Sequence, residues 1–93
     1  MKKLDKKTVQ SLANLYKSNN LFKLETKAKK LLKKYPNELN LHNLLGISFA
    51  GQKKFNEAIK SFQKILAIKP SYAEIYCNIG NVFYEQEKYN ESI

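Results

Sequence analysis

Side chains that commonly do acid–base, nucleophilic or metal chemistry are scarce in this chain: one histidine, His42, one cysteine, Cys77, and one aspartate, Asp5. A metal site or a general base needs converging partners, and His42 has no second His, no neighbouring Cys and no carboxylate cluster near it in sequence. Cys77 has no Lys, Arg or His within a helical turn to activate it as a nucleophile, so a quiet, partly buried thiol is expected. A lone cysteine also rules out a disulfide within the chain and a Cys-based zinc site. Glu85, Glu87 and Glu91 are the only dense acids. A catalytic carboxylate pair needs two different environments, whereas these three read as solvated groups around a turn. No catalytic residue, metal or cofactor is expected, and the 93-residue chain alone is not read as an enzyme.

Charge is the next candidate for chemistry. All 17 basic residues are lysine, and the net charge is +9. Residues 1–38 carry eleven Lys against three acids, 39–72 five against one, and 73–93 one against four. Such asymmetry can serve an acidic partner, but a solvated lysine surface is the simpler reading. Lysine interleaved with aromatics can bind nucleic acid. Here Phe49, Phe62, Tyr76, Phe83 and Tyr89 are expected to be taken up by the core, and arginine, the best bidentate reader of guanine, is absent. Specific nucleic-acid binding is therefore not expected. The longest apolar run, Ile65–Ile68, is four residues, against the roughly twenty needed to span a bilayer. After Lys2 and Lys3 comes a single Leu4 and then more charge, so no signal peptide and no membrane insertion are expected, and a cytoplasmic chain is.

The elements that must position these groups follow from a repeat. Pro36 and Pro70 are 34 residues apart, as are Gly46 and Gly80, Phe49 and Phe83, Gln52 and Gln86, Lys54 and Lys88, Asn56 and Asn90, and Ile59 and Ile93. In register the repeats are 5–38, 39–72 and 73–93, the last being shorter. Helical apolar spacing predicts one helix over about Glu38–Gly51 and a second over about Asn56–Ile68. Pro36 and Pro70 are natural stops, and Asn19–Asn20 and Gln52–Lys54 are the expected turns inside repeats. Ser71 with Glu74 has the spacing of a capping box. In the second helix of repeat one, Lys23, Lys27, Lys30 and Lys34 form one stripe and Leu24, Ala28, Leu31 and Tyr35 the opposite, apolar one.

At this point the sequence resembles the tetratricopeptide repeat (TPR) family. That family keeps large residues at positions 4 and 7, small ones at 8, 20 and 27, aromatics at 11 and 24, and proline at 32. Repeat two supplies His42, Leu45, Gly46, Phe49, Ala58, Phe62, Ile65 and Pro70, departing at His42 and Ile65. Repeat three supplies Tyr76, Ile79, Gly80, Phe83 and Ser92. His42, at a packing position, is then structural. Repeat one has large and small exchanged, with Leu12, Leu24 and Ala28 at positions 8, 20 and 24. Either the leucines fill the volume that Ala28 vacates, or this is an atypical capping repeat, with Lys6, Lys7, Gln10 and Asn14 as its solvated end. The resemblance implies an all-α, right-handed helix–turn–helix solenoid of about two and a half repeats, a single domain over 1–93.

The resemblance also implies a concave groove lined by the first helix of each repeat. Here that is Lys6, Val9, Ala13, Tyr16 and Lys17, then Asn40, Asn43, Ile47, Ala50 and Gly51, then Glu74, Cys77, Asn78, Asn81, Tyr84 and Glu85. It runs from basic through amide and apolar to acidic, a surface suited to a peptide segment or a neighbouring domain. The clamp for acidic chaperone tails wants Lys and Asn at positions 5 and 9, where Val9 and Ala13, then Asn43 and Ile47, stand, so that ligand is not favoured. Residues 73–93 are similar to repeats of O-linked N-acetylglucosamine transferase, with Asn78 as a rung of its asparagine ladder; Gln10 and Leu44 occupy the other rungs. Two functions are therefore expected: a protein-interaction module, or the N-terminal substrate-recruitment arm of a larger glycosyl- or sulfotransferase-like enzyme. In repeat three, Tyr76, Ile79, Val82 and Phe83 are expected to face a covering helix of which only residues 89–93 are present, so the chain is expected either to be the N-terminal part of something longer or, made alone, to self-associate.

Overall fold

The computed structural model describes residues 4–92, Ser92 for its backbone only. The expected match of Ile59 with Ile93 and the small side chain at Ser92 lie outside what is described. Five helices follow one another: α1 (Lys6–Lys17), α2 (Leu21–Lys34), α3 (Leu39–Gly51), α4 (Phe55–Ile68) and α5 (Ala73–Ser92). Asp5 caps α1, its carboxylate accepting the Thr8 amide at 2.7 Å. That hydrogen bond holds the Asp5 carboxyl below its ordinary value. The turns after α1 and α3 each hinge on a residue with left-handed backbone, Asn19 (φ 62°) and Lys53 (φ 68°), 34 positions apart. Helices α2 and α4 are capped by Tyr35 and Lys69, immediately before Pro36 and Pro70.

α3 is central, packed on both α2 and α4, with α1 against α2 and α3, and α5 against α4. The larger core cluster holds Ala28, Leu45, Phe49, Phe62, Ile65, Ile75 and Val82. A smaller one holds Leu12, Leu24 and Leu41. Ala28 and the two leucines lie in different clusters, with Leu32 packed against both. Leu12 and Leu24 share theirs with Leu41. Gly46 shows why its position is small: a Cβ there would lie 2.5 Å from Phe62 Cε1.

Several expectations for the last segment are corrected. α5 is one helix of 20 residues, with no turn at 86–88. Glu87, next in the series of Asn19 and Lys53, stays helical inside α5. Ser71 falls two residues before Ala73, so the cap position is Tyr72 and the expected capping box is out of register. Val82 does not face outward; it is buried in the core beside Ile75, and Ile79 packs partly against them. Tyr76, Phe83 and Tyr89 are exposed, whereas Phe49 and Phe62 are buried, so only the latter two belong to the core. Cys77 is exposed rather than partly buried.

Candidate interaction surface

The lysine stripe and its apolar opposite lie as their spacing requires: Lys23, Lys27, Lys30 and Lys34 are exposed, Leu24 and Ala28 buried. On the other side of the molecule, α1, α3 and α5 converge on a shallow hollow of ≈ 220 Å³. Tyr16, Ile47, Ala50, Asn78, Asn81 and Glu85 line it, over Phe62 and Val82. These six come from three helices, and all of them are among the groove residues that the tetratricopeptide resemblance implies. Asn43 joins them through its side chain: Asn78 Nδ2 donates to Asn43 Oδ1 at 3.2 Å, linking α5 to α3.

The remaining groove residues are placed outside this hollow. Lys6, Lys17, Asn40, Glu74, Cys77 and Tyr84 are exposed, and Val9 and Ala13 are half-buried on α1. Gly51 is exposed, and a Cβ on it would run into Leu21 Cδ1, so its lack of a side chain serves the α2–α3 contact. The hollow combines amide donors and acceptors, a hydroxyl, a carboxylate and small apolar side chains. That set can bond an extended backbone and seat side chains against Ile47 and Ala50. Among the described residues, no group of three or more His, Cys, Asp or Glu could hold a metal ion.

His42 is buried, and its Nε2–H donates to the Pro36 carbonyl at 2.7 Å. The carbonyl can only accept, which fixes the hydrogen on Nε2 and leaves Nδ1 buried without a partner. Tyr76, 34 residues on, makes the same bond from Oη to the Pro70 carbonyl at 2.9 Å. Both side chains thus tie the start of a helix to the proline before it, which is a structural task.

A buried carboxylate escaped the sequence reading. Glu25, 8% exposed, accepts from Lys29 Nζ at 2.8 Å, Gln52 Nε2 at 2.9 Å and Lys54 Nζ at 3.1 Å. Burial alone would raise its pKa, but the hydrogen bonds from Lys29, Gln52 and Lys54 outweigh it and hold the carboxyl at about 2. Both lysines also lie over the Phe49 ring, 5.3 and 5.8 Å from its centroid. The Glu25–Lys29 pair is visible as an i,i+4 spacing. The long-range partners on the α3–α4 turn are not.

No helix among the described residues is long and apolar enough to cross a membrane. None of the curated proteins matches the chain. The TPR repeat family model matches residues 48–87, from the last turn of α3 through α4 and most of α5. Ahead of that match, α1 and α2 pack on one another and on α3, and the fold is an all-α, tetratricopeptide-type helical solenoid whose repeats, as a class, mediate protein–protein contacts.

Proposed function

We propose that the chain is a protein-interaction module that takes an extended peptide, or a segment of a neighbouring domain, across the concave side of α1, α3 and α5. The observation that carries this reading is the hollow where Ile47, Ala50, Asn78 and Asn81 meet, with the Asn43–Asn78 amide pair at its edge. It supports a register of 5–38, 39–72 and 73–93 that left-handed turn residues and the helix-to-proline bonds of His42 and Tyr76 both recur at 34 residues. A cytoplasmic setting rests on the single cysteine. Nucleic acid is not favoured: the exposed rings of Tyr76, Phe83 and Tyr84 share α5 with Glu74, Glu85, Glu87 and Glu91, away from the lysines of α2. The reading as a recruitment arm of a larger transferase-like enzyme is supported by Asn78 at the rung position and by the likeness of 73–93 to transferase repeats. Self-association through the outer side of α5 is a further contact we propose, supported by its bare aromatics.

A peptide display library panned on the 93-residue chain tests the groove. Enriched peptides should lose binding with Ala50→Arg, which fills the hollow, and with Asn78→Ala. They should keep it with Lys27→Gln on the opposite side. Peptides indifferent to Ala50→Arg would overturn the proposal.

A further inference from the structure

The hollows on the surface of the described residues differ in charge. One at the α1–α2 turn carries Lys23 and Lys27, and one between α1 and α2 carries Lys27 and Lys30. A third, over α2, α3 and α4, carries Lys29, Lys60 and Lys64 with Glu57. The concave hollow is the exception. None of the 17 lysines lines it, and its one charged side chain is the Glu85 carboxylate. In a chain of net charge +9 this is a local reversal of sign.

The groups around Glu85 also accept. Among the described residues no ion pair reaches Glu85. Lys88, one turn further along α5, lies over the Tyr84 ring, 5.6 Å from its centroid. Asn78 commits its Nδ2 to Asn43 Oδ1 at 3.2 Å, which leaves its carbonyl oxygen to accept. Through Tyr16 and Ala50 the hollow adjoins the last turns of α1 and α3. The carbonyl end of a helix favours a positive charge, and α3 has no basic residue in its last turn. α1 has Lys17 there, exposed and outside the hollow. The floor below is apolar, made by Phe62 and Val82 with Ile47 and Ala50 beside them. At ≈ 220 Å³ the hollow has room for one long side chain.

We propose that the concave hollow is an anchor pocket for one basic side chain: a lysine or arginine of the bound peptide lays its stem on Phe62 and Val82 and brings its cation to Glu85. The inference rests on the peptide-binding reading above and names the class of residue that the hollow selects. A long basic side chain is the one type with an aliphatic body for such a floor and a positive tip for such a rim. An acidic side chain would face Glu85, and like charges brought together are costly. The lysines elsewhere on the chain repel a polybasic segment, so the favoured ligand carries a single basic residue in a neutral or acidic stretch.

A display library panned in parallel on the native chain and on Glu85→Lys tests this. Peptides selected on the native chain should share one Lys or Arg at a fixed position, and those selected on Glu85→Lys should not. In a synthetic copy of a selected peptide, norleucine at that position keeps the stem and drops the charge. Calorimetry should show it binding about two- to fivefold more weakly. Glu85→Gln should weaken the original peptide by the same factor and leave the norleucine copy unaffected, the signature of a direct pair. Glu85→Lys should cost the original tenfold or more. The helical circular dichroism should be kept, because Glu85 is exposed. Peptides that are lost with Ala50→Arg but share no basic residue, or that ignore Glu85→Gln or norleucine, overturn the anchor and leave the groove standing. Acidic peptides that are weakened by salt and indifferent to both Ala50→Arg and Glu85→Lys overturn the anchor and the groove together, as does a library that enriches nothing.

Discussion

Gly46 and Gly80 stand 34 residues apart, in matching helices, with the same neighbours in sequence pattern, and they meet opposite surroundings. The space beside Gly46 is filled by the Phe62 ring, so close that a Cβ would lie 2.5 Å from it. The space beside Gly80 is empty to 4 Å. Phe49 and Phe83 repeat the contrast, at 4% and 54% exposed. What differs is that α4 lies over α3, whereas among the described residues no equivalent helix lies over α5. One pattern of residue types therefore makes a core in one place and an exposed face in the other. Solenoid repeats contribute side chains to a core that only a neighbour completes.

The largest effect that would break this contrast is expected at Gly46. Gly46→Leu should lower stability by about 3 kcal/mol, by forcing α3 and α4 apart or displacing Phe62. Phe49→Ala should fall in the same range, about 3–4 kcal/mol, because it empties a site between α2, α3 and α4. The paired changes on α5 should do little under dilute, monomeric conditions. Phe83→Ala should stay within about 0.5 kcal/mol. Gly80→Ala should raise stability by up to about 1 kcal/mol, since it removes a glycine from a helix interior with room for the methyl group. Urea denaturation of the four variants measures all of this. A loss at Gly80 as large as that at Gly46 would mean that α5 is covered.

Much of that contrast is legible in the sequence, for a physical reason. Helix identity is local, so apolar spacing, Pro36, Pro70 and the Gln52–Lys54 turn locate α3 and α4 within a residue. Ile47, Ala50, Asn78 and Asn81, which share one hollow, are legible only through the tetratricopeptide resemblance, whose groove positions the 34-residue period carries from helix to helix. What is not legible depends on absent or distant partners. The turn at 86–88 would form only if a second helix repaid it, and no residue there encodes that condition. The same holds for Val82, whose inward direction is set by how α5 rolls against α4. Glu25 is the clearest case, since Gln52 and Lys54 lie 27 and 29 residues away and only tertiary packing brings them to its carboxylate.

Glu25 sharpens the comparison at the basic end of the molecule. It joins α2 to the α3–α4 turn, a junction for which the next repeat uses Ile59 instead, a side chain packed against the core. The carboxyl sits at about 2 when folded, against an ordinary value of 4.5. A folded-state pKa below the unfolded one stabilises the fold above the unfolded value. That contribution is complete above about pH 4.5 and is lost as pH falls toward 2. Glu25→Gln should cost about 1–2 kcal/mol at neutral pH. It should also flatten the dependence of urea midpoint on pH in that acid window. A variant that stays as acid-sensitive as the native chain would place the sensitivity elsewhere.

The smallest effect is expected from the stripe of Lys23, Lys27, Lys30 and Lys34. These side chains are exposed along α2, on the face turned away from Leu24 and Ala28. Their charge is screened by salt over about 10 Å, and their removal uncovers no buried group. Lysine and glutamine have nearly equal helix propensity, so the backbone is indifferent to the exchange. Changing all four to Gln should therefore leave stability within about 0.5 kcal/mol. Peptides selected on the concave side should bind almost as before, because the hollow between Tyr16, Ala50 and Asn81 draws no contact from α2. The change does remove four of the eleven lysines of residues 1–38, so a ligand held by long-range attraction would respond steeply. Binding measured at two salt concentrations separates the cases. A large loss of affinity at low salt that vanishes at high salt would make the lysine face, and not the hollow, the surface that recruits the partner.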